Sequence, residues 1–403
     1  MIKVAFLFDS PVEYSGGLNY FKNILYALSL VNDGSVHPYI FFPNDIPVKI
    51  EAEFSPLATV VRTKLFQRGT MPWFFHKVFY KIFGSMLVVN ALLKTHGIDV
   101  LSHVWFVYKG RTPLPIIGWI PDFQSLHLPE LFPTNYPDEE TRQNQKIISQ
   151  SDIVILSSHN ALEDFNRIAT SEQRPRGTVL QFVSQPRNAG ASHNITLDVI
   201  QKKYGFSGRF FFLPNQFWAH KNHMVVLEAL KLLKLRGVNV LVLCTGNLND
   251  YRLTNSAYID SVRQFIAING LSLNVKILGQ IDYNDVLFLM RNTLAVLNPS
   301  RFEGWSSSVE EAKSMGKPVI LSNIDVHIEQ NPESGRYFDP EDADGLSQIL
   351  EVAWLKATDD KSNDGVELVA MEELQKRTLT FGQTYFDLLC GLAQKAKSYK
   401  VQS

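Results

Sequence analysis

The sequence predicts an α/β protein built from two Rossmann-like lobes. Short apolar runs alternate with helical patterns along the whole 403-residue chain, the mark of parallel sheets covered by helices. The series of apolar runs also restarts after a softer stretch, 186–196, rich in Asn, Gly, Ala and Ser. Each half therefore has the makings of its own open sheet. Ligands of such sheets bind at the carboxyl ends of the strands, in the cleft expected between the lobes.

In the first half the strand candidates are 2–8, 39–42, 100–104, 115–120 and 153–156. The opening segment, 1–9, reads as a buried strand and is too short for a signal peptide. Ser15-Gly16-Gly17 follows it and precedes a helix with the apolar stripe Leu18, Phe21, Leu25 and Leu28. Glycines at such a turn let the backbone approach a ligand closely. Between 62 and 83, Arg62, Lys64, Arg68, Lys77 and Lys81 are interleaved with Phe66, Trp73, Phe74, Phe75, Phe79, Tyr80 and Phe83. Two readings fit: a core helix with solvated lysines, or a peripheral contact with an anionic bilayer, near a lipid-linked acceptor. The strand 115–120 ends in Pro121 and Asp122, with His127 in the following loop.

In the second half the candidates are 209–214, 239–245, 274–278, 294–298 and 318–322. His220 and Lys221 follow the first of these, just before a helix with the stripe Val225, Leu227, Leu230 and Leu233. Lysine is unfavourable at a helix N-terminus without an anion. Asp285, Arg291 and Asp325 read as solvated charges without a role. The tail, 371–397, has Leu374, Leu379, Phe381, Phe386 and Leu389 at helical spacing.

Composition excludes several classes. A net charge of −1 argues against a bulk nucleic-acid binder, which carries a basic excess. Two cysteines, Cys244 and Cys390, fit a reducing compartment without a disulfide framework. They form no metal-ligand cluster. No uncharged apolar run is long enough to predict a membrane span.

The richest segment is 299–318. The strand at 294–298 leads into a turn, then a helix starting near Ser306, with Glu303 before that start and Glu311 inside the helix. A helix N-terminus collects unpaired N–H groups and about half a positive charge, a natural seat for a phosphate. Carboxylates beside it suit sugar hydroxyls. The combination suits a nucleotide sugar.

The string Pro299-Ser300, Glu303-Gly304, Glu311-Ala312, Gly316-Lys317-Pro318-Val319 resembles the signature of the retaining GT-B glycosyltransferases of family 4. The resemblance implies a GT-B fold, with an acceptor lobe over 1–195, a nucleotide-sugar lobe over 196–375, and a last helix, 376–403, crossing back to the first lobe. It implies transfer of a sugar from a nucleotide diphosphate sugar to a hydroxyl of a glycan or lipid-linked acceptor in polysaccharide or glycolipid assembly, at the cytoplasmic side. No cofactor or metal is expected, since no Asp-x-Asp stands near a phosphate seat.

By the same resemblance, Gly16 and Gly17 face the donor phosphates and the acceptor. Lys221 and His220 hold the diphosphate with the amides of Ser306, Ser307 and Ser308. The backbone at Leu278 borders the base. Glu311 takes ribose hydroxyls, and Glu303 contacts the donor sugar and an oxocarbenium-like state. Lys221→Ala should then slow transfer by about 10²–10³ with little loss of folding. The chain departs from the family pattern in three places: Pro121 stands where a His usually precedes Asp122, His220 or Gln216 where an Arg accompanies the lysine, and serines where Gly-Leu-Pro opens the signature helix. Two alternatives share the architecture: a nucleotide-sugar 2-epimerase and a non-catalytic sugar-binding scaffold.

Overall fold

The computed structural model describes residues 1–8, 15–83, 86–106, 112, 114–186, 196–248, 257–356 and 364–402. The chain divides into two compact units. The first comprises Met1–Phe123, Asn135–Val183 and Gln375–Ser403; the second comprises Gln124–Thr134 and Ser184–Leu374. Most of the soft stretch at 186–196 lies outside the described residues.

The first unit holds β1 (Ile2–Leu7), β2 (Val36–Pro43), β3 (Thr59–Thr63), β4 (Val100–Val104), β5 (Ile116–Ile120), β6 (Ile153–Leu156) and β7 (Gly177–Val179). They pair in parallel in the order β3-β2-β1-β4-β5-β6-β7. The second holds β8 (Phe211–Leu213), β9 (Val242–Thr245), β10 (Val275–Gly279), β11 (Val296–Asn298), β12 (Val319–Ser322) and β13 (Gly335–Phe338). These are also parallel, in the order β10-β9-β8-β11-β12-β13. Both orders reverse direction once, between β1 and β4 and between β8 and β11. In open α/β sheets that reversal opens a crevice at the strands' carboxyl ends.

The central strands are mostly apolar because helices cover both sheet faces. Every residue of β4, β8 and β11 is buried. The helix after β8, His223–Leu235, buries Val225, Leu227, Leu230 and Leu233 as its spacing predicts. The strands that the pattern does not reveal are β3, β7 and β13, all at sheet edges. Edge strands are covered less completely, and these three carry mixed or partial burial, so their apolar signal is weak.

The last helix, Asp364–Gln402, starts earlier than the tail pattern suggests, and its portion from Gln375 belongs to the first unit. Its packed face there is Thr378, Phe381, Tyr385, Leu389 and Leu392, while Leu379 is exposed. The predicted stripe is thus corrected by a rotation about the axis. Gly382 sets it: a Cβ there would lie 2.3 Å from the Ala27 carbonyl oxygen, so the helix Ser15–Val31 packs against bare backbone.

A buried polar chain fixes this helix. Tyr385 and Ser102 share a hydrogen bond of 2.8 Å, Ser102 and His103 Nδ1 one of 2.8 Å, and His103 Nε2 and Tyr20 one of 2.9 Å. Burial pushes His103 down to about 3, so its ring is neutral at physiological pH.

Candidate active site

In the second unit the loops leaving β8 and β11 meet at the sheet's reversal point. After β8 the chain passes Asn215 and Gln216 and makes a short 3-10 turn, Ala219–Lys221, ending at Asn222 with φ 53°. Asn tolerates this left-handed conformation better than most residues. The loop has no slack on its other side: a Cβ at Gly246 would lie 2.4 Å from the Asn215 carbonyl oxygen. Behind it, His223 stacks on Phe217 with centroids 4.2 Å apart.

Lys221 is 14% exposed and donates to both carboxylate oxygens of Glu303 at 2.7 Å. Ser300 Oγ lies 2.7 Å from Glu303 Oε1 and 2.6 Å from Asn298 Oδ1. Its single proton serves one of them at a time. Asn298 Nδ2 donates to Ser306 Oγ at 2.7 Å, with Ser308 Oγ and Glu303 Oε1 each at 3.3 Å. Asn215 Nδ2 donates to Asn298 Oδ1 at 3.0 Å, which orients the Asn298 amide. Lys221, Glu303, Ser300, Asn298, Asn215, Ser306 and Ser308 therefore form one connected, buried network joining the β8 loop to the start of the signature helix, Ser307–Ser314.

The two glutamates differ. Burial pushes Glu303 up, but Lys221, His327 and the Ser300 hydroxyl outweigh it, and its carboxyl titrates below the ordinary value. Burial pushes Glu311 up to about 7, with the Tyr283 hydrogen bond opposing. Tyr283 donates to Glu311 Oε1 at 2.7 Å. Glu303 is thus a fixed anion, whereas Glu311 gains and loses its proton near neutrality.

His327 completes the floor. It is fully buried, its Nδ1 lies 2.9 Å from the Ser322 carbonyl oxygen, and its Nε2 has no hydrogen-bond partner among the described residues. Gln330 brackets Ser306: its Oε1 accepts from the Ser306 N–H at 3.2 Å and its Nε2 donates to the Ser306 carbonyl at 3.0 Å.

These contacts correct several expectations. The Ser306 N–H is already engaged by Gln330, and the Ser306 and Ser308 hydroxyls face the buried network. Ser307 is the exposed one of the three serines. Lys221 is half of an ion pair rather than a solitary cation. Its removal would strand Glu303, so the expectation of little folding loss does not hold. Asp285 is buried and bound by Lys203 and Tyr204, each at 2.5 Å. His127 ends a short helix, Gln124–His127, with its ring 5.1 Å from that of Phe302, next to Glu303.

Gly16 and Gly17 form the first turn of the helix Ser15–Val31 rather than the loop before it. They and the half-buried Asp122 belong to the first unit. Leu278 lies in β10 and packs on a core cluster of the second unit. His220 is buried, and its backbone carbonyl accepts from the Arg301 N–H at 2.8 Å. Sequence reasoning missed Asn215, Asn298, His327 and Gln330. The first two carry a usable signal, as polar residues at the carboxyl ends of fully apolar strands.

Residues 199–361 match the family described as glycosyl transferases group 1. That match lies within the second unit, and the fold of the chain is GT-B. The O-antigen chain mannosyltransferase RfbU of Salmonella typhimurium (strain LT2) is 27% identical over 145 residues, 36% of this chain and 38% of that protein. The match thus spans well under half of that relative. Two solved structures share the fold. One is Anabaena Alr3699/HepE in complex with UDP and glucose, with TM-score 0.65 and 15% identity over 97% of this chain and 100% of that one. The other is a glycosyltransferase from Rickettsia africae ESF-5, with TM-score 0.63 and 14% identity over 97% and 98%.

Proposed function

We propose that the protein is a retaining glycosyltransferase that moves a sugar from a nucleotide diphosphate sugar to a hydroxyl of a glycan or lipid-linked acceptor, in polysaccharide or glycolipid assembly at the cytoplasmic side. The observation that carries this reading is the buried ion pair of Lys221 and Glu303, wired through Asn298 to the start of the signature helix. The match to group 1 glycosyl transferases and the likeness to an O-antigen chain mannosyltransferase support it.

In this reading the diphosphate lies against Lys221, His220 and the backbone amides of Ser307 and Ser308. As the glycosidic bond breaks, negative charge gathers on the departing diphosphate, and fixed donors stabilise it without reorganising. Glu303 accepts from the donor sugar's hydroxyls and faces the positive charge that develops at the anomeric carbon. Lys221 sits between the two charges. The Asn215–Asn298 amides hold Glu303 in one rotamer, so the geometry is set before substrate arrives. Glu311, once deprotonated, accepts from the ribose hydroxyls. Leu278 lies on the base side. The reading includes no metal or other cofactor.

A donor screen tests this. Uridine and guanosine diphosphate sugars are added separately, and the melting temperature is followed with concentration. One nucleotide class should raise it, and that donor should then be consumed in the presence of an acceptor. No stabilisation by any nucleotide sugar would reject the reading.

A further inference from the structure

We propose that the helix Met71–Phe83 seats the first unit on an anionic lipid surface. The helix has two apolar faces. Trp73, His76 and Tyr80, at positions i, i+3 and i+7, form the inward one, with His76 only 6% exposed. The opposite face carries Met71 (65% exposed), Phe74 (53%), Phe75 (54%), Phe79 (39%) and Ile82 (67%). These recur at spacings of three and four, so they form one outward stripe. A surface helix ordinarily shows water its polar side. A contiguous apolar stripe facing out marks a contact surface.

Charge selects the occupant. Between Glu53 and Asp99 the sequence has no acidic residue, while Arg62, Lys64, Arg68, Lys77, Lys81 and Lys94 fall in that span, in a chain of net charge −1. Arg62 is bound by Glu51. Among the described residues no ion pair of Lys77 or Lys81 is recorded, and both flank the stripe. Protein interfaces are enriched in aromatics but depleted in lysine. An anionic bilayer takes both: the aromatics enter the headgroup boundary while lysine ammonium groups stay at the phosphates. At 13 residues the helix is too short to cross a bilayer, so it lies in the surface plane. Among the described residues no helix is long and apolar enough to cross a membrane. The helix belongs to the first unit, and Lys221, Glu303 and Glu311 belong to the second.

Flotation of the full chain with phosphatidylcholine vesicles, with and without phosphatidylglycerol, tests this. The wild type should float with the anionic vesicles at low salt and be released as salt rises. Lys77→Ala/Lys81→Ala should lower partitioning about 30-fold, and Phe75→Ser/Phe79→Ser should abolish it. These side chains are exposed, so melting curves of both variants should overlay that of the wild type. Wild type that stays with the unbound protein at low salt would overturn the proposal. So would flotation of both variants at the wild-type level, or concentration-dependent dimerisation abolished by Phe75→Ser/Phe79→Ser with no flotation. Nucleotide binding measured on the same preparations keeps the two claims separate: a protein that floats but binds no nucleotide leaves this surface standing and removes the donor site.

Discussion

Replacing Lys221 by Ala should cost stability as well as activity, and the stability cost should depend on pH. Lys221 contacts both oxygens of Glu303 at 2.7 Å, and Glu303 is only 8% exposed. Deleting one partner of a buried pair leaves an uncompensated charge, at a cost of about 3–5 kcal/mol. The lower end applies here, because Lys221 is itself partly open to water and Ser300 and Asn298 still face the carboxylate. In the wild type the Glu303 carboxyl titrates below its ordinary value of 4.5. That contribution is present above the unfolded value and is lost as pH falls through the folded one. In the variant burial dominates and raises the carboxyl, so protonation relieves the stranded charge. The deficit should therefore be largest at neutral pH and shrink in acid. Urea unfolding of both proteins across that range, with m compared, measures it. Lys221→Ala/Glu303→Gln should regain most of the loss and remain inactive, since transfer itself should fall by about 10²–10³ with Lys221 gone. Unfolding free energies of Lys221→Ala and wild type within about 0.5 kcal/mol at neutral pH would refute the reasoning.

Further outcomes follow from the same geometry. Glu311 is raised to about 7, so its protonated form stabilises the free protein below the unfolded value, and that contribution is lost as pH rises through 7. Nucleoside diphosphate affinity, which needs the carboxylate, should rise over the same window in the wild type and stay flat in Glu311→Gln by calorimetry. Glu311→Ala should weaken nucleotide binding more than it slows turnover. Asn298→Ala removes the donor shared by Ser306, Ser308 and Glu303 and should cost about 1–3 kcal/mol in chemical unfolding, with a matching fall in turnover. Tyr385→Phe removes the hydroxyl that meets Ser102 and should cost about 1 kcal/mol, with earlier proteolysis of the last helix.

What the sequence reveals follows from what leaves a pattern. Strands buried on both faces are apolar runs, so β1, β4, β5, β6, β8 and β11 can be read almost to their ends. Edge strands such as β3 and β13 lack that cover and cannot. Glu303, Glu311 and Lys221 stand out because they cluster around helix starts, where a lysine or a carboxylate points to an anionic or hydroxyl-bearing ligand. Asn215 and Asn298 leave only a faint signal, because a neutral amide after a strand also suits an ordinary turn. His327 and Gln330 are brought under Ser306 and Glu303 by the β12 crossover, which no local spacing encodes. The last helix shows its existence through periodicity. Its packed face depends on Gly382 meeting the Ala27 carbonyl, a contact between residues far apart in sequence.

The central claim is that Lys221, Glu303 and Glu311 serve one diphosphate-bearing ligand. Calorimetric titration of uridine and guanosine diphosphates into wild type, Glu311→Ala and Lys221→Ala/Glu303→Gln addresses it directly. One nucleotide should bind the wild type at a single site, and both variants should bind it more weakly while keeping their folded spectra. Undiminished binding in either variant would contradict the account.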